Sequence, residues 1–267
     1  MPHADVGVFG GSGLYSLLDD VENVELTTPW GAPSAPLAIG TVDDRRVAFL
    51  PRHGRHHHLA PHEVNYRANL WALRELGVIR VLSPFACGSL QRRVHPGDLV
   101  VCDQVVDRTS GRADSFFTSP QVVHVPWADP YCDELRAVAV EAARAQGATV
   151  HERGTVVVVQ GPRFSTKAES RWFREQGWDV VNMTQYPEAY LARELGMCFA
   201  GIALVTDYDA GIDGVPAVSY DDVMRVFEEN IDRLRTILMQ ALKAIPSDRT
   251  CECADGAGGV SPNLPGA

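Results

Sequence analysis

Short apolar runs rich in β-branched residues alternate with amphipathic stretches along nearly the whole chain, and this alternation leaves few architectures open. Residues 6–9, 47–50, 78–83, 99–106, 155–160, 180–183 and 198–205 read as strands. Residues 63–76, 130–146, 167–176 and 187–195 read as the helices between them. Gly77, Gly147, Gly177 and Gly196 each fall where one of these helices would stop, as glycines at helix C-termini do. The last helix is the best marked. Ser219 with Asp222 resembles a capping box, although Asp replaces the usual Glu or Gln. Val223, Val226, Phe227, Ile231, Leu234, Leu238, Ala241 and Ile245 then form one apolar stripe that Pro246 ends. Strands alternating with helices predict one α/β domain over residues 1–246, with a mixed or mostly parallel sheet. Residues 247–267 are polar, rich in Gly and Pro, and read as a disordered tail.

Charge narrows the partners. The 267 residues carry 24 Lys and Arg against 34 Asp and Glu, a formal charge of −10, which lacks the basic face that nucleic acid or an anionic membrane requires. No apolar run approaches the roughly 20 residues of a spanning helix. The N-terminus has neither a basic nor an apolar leader region, so a cytoplasmic location is expected. Cys87, Cys102, Cys132 and Cys198 lie singly in apolar stretches and read as reduced core residues. Cys251 and Cys253 form a lone C-x-C in the tail, which reads as solvated; no metal site is expected.

In an open α/β sheet, sites form where strands end and loops begin. Four such loops carry chemistry. Gly10-Gly11-Ser12-Gly13 offers backbone N–H groups and a hydroxyl to an anion, or makes a plain tight turn. Pro51 to His58 packs two arginines and four histidines into eight positions, which suits an anion better than a cation; zinc and solvated surface are the competing readings. Gln160 to Ser165 places Phe164 beside the Ser165 hydroxyl, a pairing that suits a flat heterocycle or ordinary core, and Asn182-Met183-Thr184 is equally open. Thr206 to Asp209 sets Asp207 and Asp209 on one side if the backbone stays extended, with acidic turn residues as the alternative. Crowding and apolar neighbours would keep a proton on one carboxyl near neutrality, for delivery to a ring nitrogen, while its partner accepts from an exocyclic amine.

The strings GVFGGSGL, PRHGRHHHLAPHEVNYRANLWAL, ACGSL, PGDLVVCDQVVDRT, GPRFSTKAES, NMTQYPEAYLA and LVTDYD, in this order, resemble the S-methyl-5′-thioadenosine phosphorylase branch of the purine nucleoside phosphorylase family. The resemblance runs from about Val6 to Ile245. It implies a single-domain α/β/α sandwich with a mixed, partly barrel-like central sheet, assembled as a homotrimer. It implies reversible phosphorolysis of an N-glycosidic bond, giving adenine and a 5-substituted ribose 1-phosphate. Inorganic phosphate is a co-substrate, and no metal or organic cofactor takes part.

Carried over by position, Ser12, Arg52, His53 and Thr184 would hold phosphate, with backbone at Phe85 and Ala86. Phe164 would pack against the base, Met183 under the ribose, and Tyr208 would join the substrate contacts. Asp207 would protonate N7 and Asp209 would read the 6-amino group. Ser165, His57, Tyr220, Val223 and Met224 would set specificity, together with His124 of a neighbouring subunit. Two positions depart from the usual pattern. Phe85 stands where relatives often have a phosphate-binding hydroxyl, and Tyr220 stands where they often have Val, which brings bulk and a hydroxyl to the 5′ pocket.

The expected substrate is 5′-methylthioadenosine. Other 5′-deoxy- or 5′-halo-adenosines and adenosine itself follow, motivated by Tyr220. A 6-oxopurine would leave an acceptor of Asp207 unpaired, at a cost of about 1–3 kcal/mol. A non-catalytic nucleotide-binding protein is the reading from another class.

Overall fold

The computed structural model describes residues 2–11, 14, 16–211, 219–262 and 264, so Ser12 lies outside the described residues. In chain order the elements are β1 (Val6–Gly10), β2 (Glu22–Val24), β3 (Leu37–Val42), β4 (Arg45–Pro51), α1 (Tyr66–Glu75) and β5 (Arg80–Ser89). There follow β6 (Leu99–Val101), β7 (Gln104–Arg108), α2 (Asp133–Ala145), β8 (Val150–His151), β9 (Thr155–Val159) and α3 (Lys167–Glu175). The chain continues through β10 (Val180–Asn182), α4 (Gln185–Glu194), β11 (Cys198–Asp207) and α5 (Tyr220–Ala244).

Among the described residues, eleven strands form one mixed sheet. Parallel pairs such as β1 with β4, β1 with β5 and β11 with β5 make its centre. The hairpin β3–β4 and the pairs β5 with β10 and β6 with β11 are antiparallel. β5 is the hub, hydrogen-bonded to β1, β10 and β11. The sheet branches there and ends at edges β2, β7 and β8, so among the described residues it does not close into a barrel.

β11 shows why the sheet is covered on both faces. Cys198, Ala200, Ile202 and Leu204 join a core with Leu135 and Ala139 of α2 and Leu234, Leu238 and Ala241 of α5. The alternate residues Phe199, Ala203 and Val205 join a second core with Leu70 and Leu73 of α1 and Ala189 and Leu191 of α4. A strand with both faces buried must be apolar throughout, and side chains at period two then serve two layers. That is the three-layer arrangement expected of the chain.

Local chemistry moved several boundaries. α1 begins at Tyr66 rather than residue 63, because the Asn65 side chain accepts the Ala68 amide and fixes the first turn there. The run read as one strand over 99–106 is two strands. Between them Cys102 donates its amide to the Gly201 carbonyl and Asp103 donates to Gly154, so the chain changes partners. α5 starts where expected, with the Ser219 side chain accepting from the Asp222 amide. Gly77, Gly147, Gly177 and Gly196 all have positive φ, as their C-terminal positions require.

Two expectations are corrected. The segment after Pro246 is ordered through residue 262: Thr250 donates its amide and hydroxyl to Glu134 Oε2 (3.1 and 2.7 Å), and Arg249 donates to the Gly196 carbonyl (2.8 Å). A 3₁₀ turn, Glu252–Asp255, then buries Cys253. Polar composition hid this, because the docking uses hydrogen bonds more than apolar side chains. Cys132 and Cys198 are also not solitary, since folding sets both beside Cys251 and Cys253. No helix among the described residues is long and apolar enough to cross a membrane.

Candidate active site

β1, β4 and β11 run out beside a cleft of about 420 Å³, bordered also by β5, the β9–α3 loop, the β10–α4 turn and the start of α5. Arg52, His53, Phe85, Ala86 and Thr184 meet at one end, and Asp207, Asp209, Phe164 and Ser165 at the other, with Met183 also on the wall. Residues more than 150 positions apart in sequence thus share one cavity.

At the first end, the Arg52 guanidinium is 1% exposed and held by Glu188, with Nε donating to Oε1 (2.7 Å) and Nη2 to Oε2 (2.9 Å). Nη2 also donates to Ser83 Oγ (2.7 Å), whose hydroxyl donates to Glu188 Oε2 (2.8 Å). Gln185 Nε2 donates to the same Ser83 oxygen (2.9 Å), and Tyr131 donates to Gln185 Oε1 (3.2 Å). A buried ion pair tolerates desolvation only with such a full set of partners. The planar fork of Arg52 is therefore spent on Glu188. Nη1 is the less committed edge, 3.5 Å from the Pro84 carbonyl, and a Cβ on Gly11 would come within 3.2 Å of it.

His53 Nδ1 donates to the Leu59 carbonyl (2.9 Å), which leaves Nε2 as an acceptor on a neutral ring. Burial, and then the charge of Arg52, lower its imidazole to about 3, so it stays neutral at physiological pH. His57 stacks on it at 4.5 Å and is also shifted down by burial. Asn182 organises the β10–α4 turn: its Oδ1 accepts the amides of Thr184 (2.6 Å) and Gln185 (2.8 Å), while its Nδ2 donates to the Ala86 carbonyl (3.3 Å). Thr184 is the residue that precedes α4; it is buried on the cleft lining, and its hydroxyl donates to Asn182 Oδ1 (3.3 Å). Phe85 borders the cleft from β5 while it packs in the core shared with α1 and α4.

At the other end a β-bulge sets the carboxylates. The β11–β5 register shifts between Val205 and Asp207, so Asp207 faces Gly88 while Val205 faces Cys87. Bulges of this kind re-aim a side chain near a strand end. Asp207 Oδ2 accepts from the Thr206 hydroxyl (2.7 Å), and Oδ1 accepts from the Asp209 amide (2.6 Å). Burial raises the Asp207 carboxyl to about 6 against those hydrogen bonds. The extended geometry expected for the pair is not what brings them together. The strand stops at Asp207, and Asp209 takes φ +47, returning its amide to its neighbour's carboxylate. Burial also pushes the Asp209 carboxyl up. The buried Asp209 carboxylate has the Ser165 and Ser170 hydroxyls beside it, and neither Asp209 Oδ2 nor Ser165 Oγ makes a well-formed hydrogen bond, so a donor-bearing ligand could still complete Oδ2. The approach depends on Gly88, where a Cβ would lie 2.8 Å from Asp207 Oδ1 and 3.0 Å from Asp209 Cβ.

Phe164 and Ser165 are held by a device absent from the sequence reading. Thr166 and Glu169 form a reciprocal capping box at the start of α3. Glu169 also takes two 2.8 Å bonds from Arg163, which hold its carboxyl down at about 2. The Phe164 ring is 41% exposed. Tyr220, 53% exposed, and Val223, buried, reach the cleft from the first turn of α5. Tyr208, Met224 and His124 do not border it. His124 is exposed in the segment between β7 and α2. Glu188, Ser83 and Gln185 were not anticipated, because none stands in a distinctive local pattern; only Glu188's place four residues after Thr184 hints at a shared helix face.

The Phosphorylase superfamily model matches residues 5–243. The chain belongs to the Phosphorylase superfamily. This phosphorylase is 55% identical over 247 residues to S-methyl-5′-thioadenosine phosphorylase of Mycolicibacterium smegmatis, which covers 92% of this chain and 93% of the relative. It is 53% identical to a purine nucleoside phosphorylase of Streptomyces coelicolor, over 98% and 97% of the two chains. Methylthioadenosine phosphorylase from Schistosoma mansoni in complex with adenine superposes with a TM-score of 0.89 at 39% identity, covering 94% of this chain and 95% of that one.

Proposed function

We propose that this phosphorylase cleaves 5′-methylthioadenosine with inorganic phosphate, releasing adenine and a 5-substituted ribose 1-phosphate. The observation that carries the reading is the pairing at the base end: a carboxyl raised to about 6 beside a second buried carboxylate, Asp209, whose Oδ2 makes no well-formed hydrogen bond although the Ser165 and Ser170 hydroxyls stand near it. The first fits a proton donor to N7, and the second fits an acceptor for a 6-amino group. Phe164 supplies an aromatic face for the base, and Met183 lines the wall where the ribose would lie. The M. smegmatis relative and the S. mansoni complex, named for methylthioadenosine and adenine, support the same choice.

The steps balance without a cofactor. The C1′–N9 bond breaks as positive charge builds on the sugar, and a phosphate oxygen bonds to C1′. Asp207 gives its proton to N7, so adenine leaves neutral. The sugar phosphate monoester loses the proton that hydrogen phosphate brought, which restores the acid. Nη1 of Arg52, the Thr184 hydroxyl and the backbone at Phe85 and Ala86 hold the anion. With Nδ1 bound to Leu59, His53 accepts the P–OH of hydrogen phosphate at Nε2. Phe85 brings no hydroxyl, which leaves backbone and Thr184 to supply that contact. The role carried over to Ser12 falls on a residue outside the described set.

The test is base release with phosphate from methylthioadenosine, 5′-deoxyadenosine, 5′-chloro-5′-deoxyadenosine, adenosine and inosine. Methylthioadenosine should give the highest kcat/KM, and inosine as best substrate would remove the roles of Asp207 and Asp209. The exposed Tyr220 at the cleft edge favours a second reading, in which the 5′ preference leans to a smaller or polar substituent. Replacing it, Tyr220→Val, should raise kcat/KM for methylthioadenosine relative to adenosine. An unchanged ratio takes Tyr220 out of the 5′ pocket.

The exposed Phe164, together with an exposed His124 that does not line its own cleft, suits a homotrimer in which His124 of a neighbour reaches the 5′ region. Sedimentation at assay concentration should give the trimer mass, and a monomer would exclude that contribution.

A further inference from the structure

Four of the six cysteines converge from three parts of the chain at a place the cleft does not touch. Cys132 is the residue before α2, Cys198 begins β11, and Cys251 and Cys253 flank the start of the 3₁₀ turn. Their sulfur atoms all lie within 4.8 Å of one another, with Cys198 Sγ 3.3 Å from Cys251 Sγ. Cys132, Cys198 and Cys253 are buried and Cys251 is half-buried. In a tetrahedral zinc site with Zn–S of about 2.3 Å, neighbouring sulfurs stand about 3.8 Å apart, well within that spread. We propose that Cys132, Cys198, Cys251 and Cys253 form a structural zinc site that fastens the C-terminal segment to the α/β body.

The surroundings suit the charge such a centre would carry. Four thiolates around one divalent cation leave a net charge of −2, which needs nearby positive partners. Cys132 immediately precedes α2, so its sulfur lies at the positive end of that helix, beside the Leu135 amide of the first turn. Arg80 stands opposite Cys198 in the β5–β11 register, is buried, and has an unpartnered Nε. Of the acids beside these cysteines in sequence, Asp133 pairs with Arg136, Glu134 is engaged by Arg80 (3.6 Å) and Thr250 (2.7 Å), and Glu252 is exposed to solvent.

Softness and stoichiometry select the ion. Four sulfur ligands in a tetrahedron favour zinc over magnesium or calcium, which take oxygen. Binding displaces the four thiol protons to solvent and changes no oxidation state. Disulfides would instead need a two-electron oxidant for each bridge, and would join the sulfurs in pairs where the fold gathers all four. The contacts of Thr250 and Arg249 bring the C-x-C into place. The metal then closes a loop of chain running from residue 132 to residue 253, which favours the folded state. A C-x-C is a weak sign alone, and the second pair that would make it a strong one is supplied by folding, from residues 66 positions apart in the chain.

The experiment uses the full chain expressed in zinc-supplemented medium. Plasma mass spectrometry should find about one zinc per chain, as for a structural site. Exchange for cobalt should give the visible bands of tetrahedral thiolate coordination, and chelation should lower Tm. In Cys251→Ser/Cys253→Ser, bound zinc should fall roughly tenfold or more while the panel substrates are still turned over. Cys251→Ser alone, at the half-buried position, serves if the double variant does not fold. Wild-type protein that takes up neither zinc nor cobalt under reducing conditions overturns the proposal. So does an intact mass short of one hydrogen pair per bridge, which would mean disulfides hold these sulfurs.

Discussion

Asp207→Asn should lower kcat on methylthioadenosine on the order of 10²- to 10⁴-fold, with little change in KM. An amide at 207 keeps the size and can still offer a hydrogen bond to N7, but has no proton to give. The pH profile distinguishes this from a packing defect. Burial holds the Asp207 carboxyl at about 6 where a solvated aspartate sits near 3.8, so the acid form is populated as pH falls toward 6 and is lost as pH rises beyond it. The wild-type enzyme should therefore lose kcat/KM along an alkaline limb with a midpoint at or above about 6, and the variant should lack that limb. Near wild-type turnover of Asp207→Asn would place proton delivery elsewhere.

Glu188→Leu should destabilise the fold by about 3–5 kcal/mol, because it leaves the Arg52 cation buried with no counter-charge. Neither partner is more than 1% exposed, so water cannot take over from the lost carboxylate. In urea denaturation the midpoint should drop at unchanged slope. The double change Arg52→Met/Glu188→Leu should recover part of that loss, since two apolar side chains need no partners, while the buried Ser83 hydroxyl loses its acceptor. Its KM for phosphate should nonetheless stay raised, because the Nη1 donor is gone. A single variant as stable as wild type would show that Arg52 finds another acceptor, and recovery of phosphate affinity in the double variant would remove Arg52 from the anion site.

Much of this arrangement could be read before any coordinates. The strand runs were apolar because the sheet is covered on both faces, and Ser219 and the four helix-stopping glycines announced their turns through local chemistry. The cleft was legible as separate loops, since Arg52, His53, Phe164, Thr184 and Asp207 each follow a strand. What stayed hidden depends on contacts between distant segments. Nothing near Glu188 shows that it will meet Arg52, and nothing near Val205 announces the bulge that turns Asp207. The backbone reversal at Asp209 replaced the extended geometry expected for the pair. Cys132 and Cys198 read as core residues because their two partners lie in a segment whose polar composition suggested disorder.

The branching of the sheet at β5 has a mechanical corollary. Residues 85 and 86 of that strand border the cleft where the proposed phosphate would sit, and residue 88 backs Asp207, the proposed acid. Both halves of the proposed displacement would thus be mounted on a single short length of polypeptide, braced laterally by β1, β10 and β11. In the proposed reaction, the span between attacking oxygen and departing nitrogen would be set by a ruler that cannot stretch without tearing its own ladder.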